Sequence, residues 1–351
     1  MRRGRTLLRA LAGVTSVAAA VTALPAPATA ARHPLRRVVE KIQASGPGFV
    51  IETDPQSGDA TIRYDDGSGR WHSTLYVTAN KLEVTVAAAV GETPDGSLRF
   101  EYRLMSSPGS RQRAGVFMLE FAGPVVDVTA PAAWRSFAMS YMPALDWFSV
   151  EGSRPGLAPG ESTAGFSFQA NPGPNTRRLA PSRTIGTLGY VSSPGSLPGI
   201  VRCYVLGNTP PLSFPTEAPD RILDALPKRV DQGLAGSTIG PVEIPESDTL
   251  GTILTSMDGS VKQSLELGWI ERQETAGRYA ETLAEVRKLL TAGAPATGAP
   301  GPAAAKAIAA RLRTLAAQVE KDAKGGAITS EAQALLAFNA RYLLARLAES
   351  R

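Results

Sequence analysis

Any chemistry in this 351-residue chain would have to rest on very few of the usual side chains. His33 and His72 are the two histidines, and Cys203 is the single cysteine. A zinc site of the common kind draws on several His and Cys ligands, and the His-Glu-x-x-His helix needs two histidines four residues apart, so neither pattern is present. A serine triad would have to use His72 as base, yet no Gly-x-Ser-x-Gly elbow presents a nucleophile. The nearest stretch, Gly160-Glu161-Ser162-Thr163-Ala164-Gly165, is one residue too long. No Gly-Lys pair exists to build a phosphate loop, and no Gly-x-Gly-x-x-Gly joins a strand to a helix. The sequence therefore nominates no catalytic, cofactor-binding or metal-binding residue, and no cofactor.

Carboxylates are harder to dismiss, because a glycosidase pair assembles from distant positions and leaves no local spacing. Asp146 beside Trp147, with Glu151 and Glu161, are the acids that such a pair could use; the other reading is solvated loop acids. Asp65-Asp66-Gly67-Ser68-Gly69 holds acids and glycines but lacks the 12-residue spacing and closing Glu of a calcium loop, so it reads as a hairpin turn. Trp71, Trp134 and Trp147 fall in the β-rich part, where they serve packing or, if exposed, glycan binding. Cys203, within Ile200-Val201-Arg202-Cys203-Tyr204-Val205, reads as a buried small side chain on a strand, the alternative being a redox or intermolecular role. Asn339 shares a helical face with Leu336 and Leu343, which points to a buried amide satisfying a loop backbone.

The elements that would position these residues follow from periodicity. Arg2, Arg3, Arg5 and Arg9 precede an apolar run at 11–24, and Ala28-Thr29-Ala30 offers a small-residue cleavage pattern, so residues 1–30 read as a signal peptide with the chain secreted or held outside the cytoplasm. The run is shorter than the roughly 20 apolar residues of a spanning helix, and no transmembrane anchor beyond it is expected. Four of the 37 Lys and Arg lie in that leader; the rest stand against 32 Asp and Glu, a balance of +1 that gives no field to hold nucleic acid. After a lead-in at 31–47, residues 48–207 alternate short β-branched and aromatic runs with turn residues, the pattern of an antiparallel, Ig-like β-sandwich. In one run Leu98, Phe100, Tyr102 and Leu104 fall on one face, with Arg99, Glu101 and Arg103 on the other.

Asn208-Thr209-Pro210-Pro211, Pro215 and Pro219 mark residues 208–247 as a Pro-rich linker. From Asp248, a plausible N-cap, to the C-terminus at 351 the period becomes 3.6. Leu250, Leu254, Met257, Val261 and Leu265 form one stripe; Tyr279, Leu283, Val286 and Leu290 a second; Ile308, Leu312, Leu315 and Val319 a third. Ser330 with Gln333 makes a capping box ahead of Leu336, Leu343 and Leu347. The four stripes predict an all-α bundle at 248–351, with a Gly, Ala and Pro loop at 291–302 between its middle helices.

Two stretches carry resemblances. Leu267-Gly268-Trp269-Ile270, residues 280–290 and 312–319, and Gly326, Ile328 and Thr329 leading into Leu335-Leu336, Asn339-Ala340 and Tyr342-Leu343-Leu344 resemble FIMAH-type domains, helical modules of exported bacterial proteins. That likeness implies an appended module on a surface enzyme or binding protein and carries no catalytic residue. Phe100-Glu101-Tyr102, Trp147, Pro159-Gly160-Glu161-Ser162, Gly165-Phe166-Ser167-Phe168 and Leu197-Pro198-Gly199 resemble an uncharacterised exported bacterial sandwich, which implies fold and export alone.

The combined expectation is an exported, non-catalytic binding or envelope-associated module whose partner is an extracellular glycan or a surface protein. Two alternatives stay open: a polysaccharide-acting enzyme using loop carboxylates, and a protein-assembly module working through Ala-rich faces of the bundle.

Overall fold

The computed structural model of the chain describes residues 35–37, 45–54, 56–94, 96–120, 125–138, 144–150, 156–170, 196–208, 222, 233–244, 250–293 and 300–349. The expected leader at 1–30, His33, Asp95, Glu151, the turn at Pro194-Gly195, Pro210, Pro211, Pro215 and Pro219 of the expected linker, Asp248 and residues 294–299 lie outside them.

The described chain is β-rich in its N-terminal part and helical in its C-terminal part, with three antiparallel sheets. A six-stranded sheet runs in the order β1 (Arg36–Arg37), β14 (Leu234–Glu243), β13 (Ser196–Gly207), β8 (Ala114–Glu120), β11 (Ala144–Ser149) and β10 (Trp134–Ala138). A four-stranded sheet runs β6 (Val84–Glu92), β7 (Leu98–Ser106), β12 (Ser162–Ala170), β9 (Val126–Thr129). The third is a meander of β2 (Ser45–Gly46), β3 (Phe49–Thr53), β4 (Ala60–Asp65) and β5 (Trp71–Tyr76).

The first two sheets face each other across an aromatic core. Along β7 burial alternates as the sequence requires, with Leu98, Phe100, Tyr102 and Leu104 buried and Arg99, Glu101 and Arg103 half-exposed. The Tyr102 ring meets Phe117 of the opposite sheet edge-on at 5.6 Å and Trp147 at 6.1 Å, and Trp134 meets Phe166 at 5.0 Å. Such ring pairs add about 0.5–1.5 kcal/mol each to their burial. Their polar tips are satisfied: Tyr102 Oη donates to the Ile239 carbonyl at 2.8 Å and Trp147 Nε1 to the Thr129 carbonyl at 2.8 Å. The meander has a smaller core of Phe49, Ile51, Ile62, Tyr64 and Tyr76, with Ile222 packed into it.

One expected boundary needs correction. Residues 234–243 lie in the span read as linker, yet they form β14, paired with β13 over ten consecutive positions. The glycines and prolines of this strand pair serve close approach. Gly199 stands opposite Gly240 and Pro198 opposite Pro241. A Cβ on Gly199 would lie 2.1 Å from a Val242 methyl and one on Gly240 2.7 Å from a Val201 methyl, so only glycine admits the neighbouring valines.

The helices are α1 (Leu250–Glu266), α2 (Gln273–Gly293), α3 (Pro302–Lys324) and α4 (Ser330–Glu349). Pro302 occupies the first turn of α3, where a missing amide proton costs nothing. The helices pack in a ring, α1 on α2, α2 on α3, α3 on α4 and α4 back on α1, and bury Leu254, Met257, Val261, Tyr279, Leu283, Val286, Ile308, Leu312, Leu315 and Val319. No described helix is long and apolar enough to cross a membrane.

Helix α4 is buried at four successive positions, Ala334, Leu335, Leu336 and Ala337, and so on every side. The reason is a second neighbour: it also packs against β6 and β13. Its first turn meets Ala88 in β6, the edge strand of its sheet. Glu331, fully buried, accepts the Ala88 N–H at 2.7 Å, and Ser330 Oγ donates to the Ala88 carbonyl at 2.6 Å. Two side chains thus do for Ala88 what a neighbouring strand would. Replacing Glu331 with Ala leaves that amide unpaired, and we expect a loss of about 1.5–3 kcal/mol in denaturant unfolding. Ser330→Ala should cost less, about 1 kcal/mol.

Candidate functional site

Each described side chain singled out in the sequence has a definite place. The turn after β4 consumes its own acids. Asp65 Oδ1 accepts the Gly67 and Gly69 amides, and Asp66 Oδ1 accepts the Ser68 amide and hydroxyl. Gly67 and Gly69 both have positive φ, which this tight turn requires. The second oxygen of Asp66 lies 2.8 Å from His72 Nε2. The Ser68 hydroxyl, and next His72, hold the Asp66 carboxyl well below the ordinary carboxylate range. His72 stacks on Tyr64, directly opposite it in the β4–β5 register, with ring centroids 5.3 Å apart. His72 therefore ties the turn to the rim of the small core.

The acids considered for a glycosidase pair do not sit on one wall. Asp146 lies mid-strand in β11, pointing away from Trp147 and the aromatic core, with Met118 and Phe137 beside it in register. Glu161 precedes β12 in the other sheet and accepts the Ala158 amide at 3.0 Å. Asp146 is chemically the odder of the two: its Oδ1 is buried without a hydrogen-bond partner, and burial pushes its carboxyl above the usual value. Cys203 is fully buried and desolvation pushes its thiol up to about 12, which keeps it a thiol at neutral pH.

Asn339 does bond backbone, but the acceptor is in a strand. Its Nδ2 donates to the Pro198 carbonyl at 3.0 Å and to Leu335 of its own helix at 2.6 Å. Pro198 precedes the point, Cys203, where β8 begins to pair with β13, so its carbonyl is open on that side.

In the bundle, Glu271, Arg272, Glu274, Thr275, Arg278, Gly325 and Ala327 line a polar groove of about 460 Å³. At its margin Asp322 is half-buried, which opposes its ionisation, but hydrogen bonds from Tyr279 Oη and Gln318 Nε2 together with the Arg278 guanidinium hold its pKa below the ordinary value. Among the described residues no group of three His, Cys, Asp or Glu side chains converges to hold a metal ion.

The tryptophans divide sharply. Trp134, Trp147 and Trp269 are buried, whereas Trp71 is 56% exposed and Leu75, four residues further on and on the same face of β5, is 58% exposed. The outer face they share includes Arg63, which bonds Glu52 at 2.5 Å, and half-buried Val50. Nothing in residue type separated Trp71 from the other tryptophans; its place on the outer face of the meander, in line with Ser73 and Leu75, does.

Compared with protein families, with curated proteins and with solved structures, the chain matches none.

The Asp146 geometry makes a pH-dependent prediction. A raised native pKa means that ionisation opposes folding, so the carboxyl lowers stability once pH rises through the unfolded Asp value of about 4 and on past the native one. Asp146→Asn should melt higher than the parent chain at pH 7, and the difference should close near pH 3; a pH-independent difference in thermal unfolding would refute this.

Proposed function

We propose that this chain works after export as a non-catalytic binding module at or outside the cell envelope: an Ig-like sandwich with a FIMAH-like bundle docked on it, taking an extracellular glycan or a surface protein as ligand. The observation that carries the reading is the outer face of the N-terminal meander, where Trp71 and Leu75 stand in solvent while the other tryptophans are buried. Exposed apolar clusters rimmed by polar groups mark contact surfaces. Trp71 offers a flat ring for the C–H face of a sugar or for an apolar side chain, and Arg63 and Glu52 supply donors and acceptors beside it.

The polysaccharide-enzyme reading gains no comparable support. Asp146 lies in the six-stranded sheet and Glu161 just before β12 of a four-stranded one, and Glu161 already serves a turn amide. The assembly reading loses ground at α4, whose alanines 332, 334, 337 and 340 are buried within the chain itself.

Purified protein is to be probed on a glycan array and on immobilised envelope material. Trp71→Ala combined with Leu75→Ser should weaken binding about tenfold or more, as loss of central apolar contacts does, while the fold, read by circular dichroism, is retained. Unchanged binding by the double variant, or polysaccharide turnover abolished by Asp146→Asn, would overturn the proposal.

A further inference from the structure

Among the described residues three sheets present six outermost strands, and an uncovered strand edge is a template for pairing with another chain. Five of the six carry a device that discourages this. Strands β1 and β2 are two residues long, and β1 is Arg36-Arg37. Strand β9 is four residues, with Asp127 in the left-handed region at φ 51° and an irregular register against β12. Strand β10 follows a left-handed Ala133 and carries exposed Arg135. Strand β6 has Ser330 and Glu331 on Ala88.

Strand β5 has none of these. It is six residues, Trp-His-Ser-Thr-Leu-Tyr, without Lys, Arg, Asp, Glu or Pro, and its register with β4 is unbroken. It also carries Trp71 and Leu75, the two most exposed large apolar side chains among the described residues. The order of exposed positions along it, Trp71, Ser73, Leu75, is complementary to its own reverse. In an antiparallel pair centred on Ser73, Trp71 faces the second copy's Leu75, Ser73 faces Ser73, and Leu75 faces Trp71, so each aromatic ring covers an aliphatic side chain on one face. No charge of the strand meets its like.

We propose that two copies of this chain pair edge to edge through β5, joining their meanders into one eight-stranded sheet about a two-fold axis. The contact is isologous and consumes the β5 edge that the described residues leave uncovered in each copy, so it closes at two copies. The inference goes beyond the binding role and does not require it, although pairing would set two Trp71–Leu75 faces side by side.

Sedimentation of the purified chain over a concentration series should show a monomer–dimer equilibrium. Ser73→Lys and Ser73→Glu each place like charges face to face at the axis and should weaken the dimer about tenfold or more, whereas an equimolar mixture of the two should restore dimers. Ser73→Cys supplies an independent geometric reading: directly opposed residues of antiparallel strands lie about 4.5–5.5 Å apart, within disulfide reach. Mild oxidation should give a covalent dimer, while Thr61→Cys, one strand further in, should not; buried Cys203 does not compete. A parent chain that stays monomeric throughout, a Ser73→Lys variant that dimerises undiminished, or dimers that Ser73→Cys fails to cross-link would overturn the proposal.

Discussion

Every strand edge in this molecule carries backbone amides and carbonyls that must find water, a protein partner or another chain, and much of the architecture answers that constraint. At β6 the answer is a pair of side chains. Ser330 and Glu331, at the start of α4, take up the carbonyl and the amide of Ala88 and so seal the edge with the first turn of a helix. At the open half of β13 the answer is Asn339, whose amide reaches the Pro198 carbonyl. Both contacts come from one helix, so docking the bundle and covering the sheets are a single event. A fully buried Glu331 is tolerable in this setting because it is hydrogen-bonded and lies at a helix N-terminus, where the backbone dipoles favour negative charge.

The aromatic core and the meander follow from the same economy of polar groups. Tyr102 and Trp147 contribute ring area to the core because their tips reach the Ile239 and Thr129 carbonyls. In the meander, Asp65 and Asp66 close a turn, and Asp66 holds His72 against Tyr64. In the meander Asp65, Asp66 and His72 are thereby engaged in structure, while Trp71 and Leu75 on the outer face are left to meet something else. That division underlies the reading of the molecule as a binder.

Much of the architecture was legible wherever burial is one-sided. The alternation of Leu98 to Leu104 and the helical stripes of α2 and α3 follow directly from a core on one face, and those side chains are buried, Leu290 partly so. Legibility failed where a residue's role depends on a distant neighbour. Gly240 and Pro241 suggest a loop in isolation, but they allow β14 to lie close against Gly199 and Pro198. Ser330 begins a capping pattern, yet its hydroxyl turns to Ala88 instead of closing its own helix. Asn339 was readable as an amide seeking backbone, whereas its acceptor, in β13, was not. For the candidate surface, alternation marks Trp71 and Trp147 equally as strand residues; only the face each ring takes, outward from the meander for Trp71 and into the aromatic core for Trp147, makes one a surface and the other core.

Residue-resolved amide hydrogen exchange on the native chain tests the central claim most directly. The account predicts that the Ala88 amide, though on an outermost strand, exchanges as slowly as the interior of β7, while outward-facing amides of β5 exchange quickly in dilute protein. An Ala88 amide exchanging at the rate of an exposed edge would contradict it.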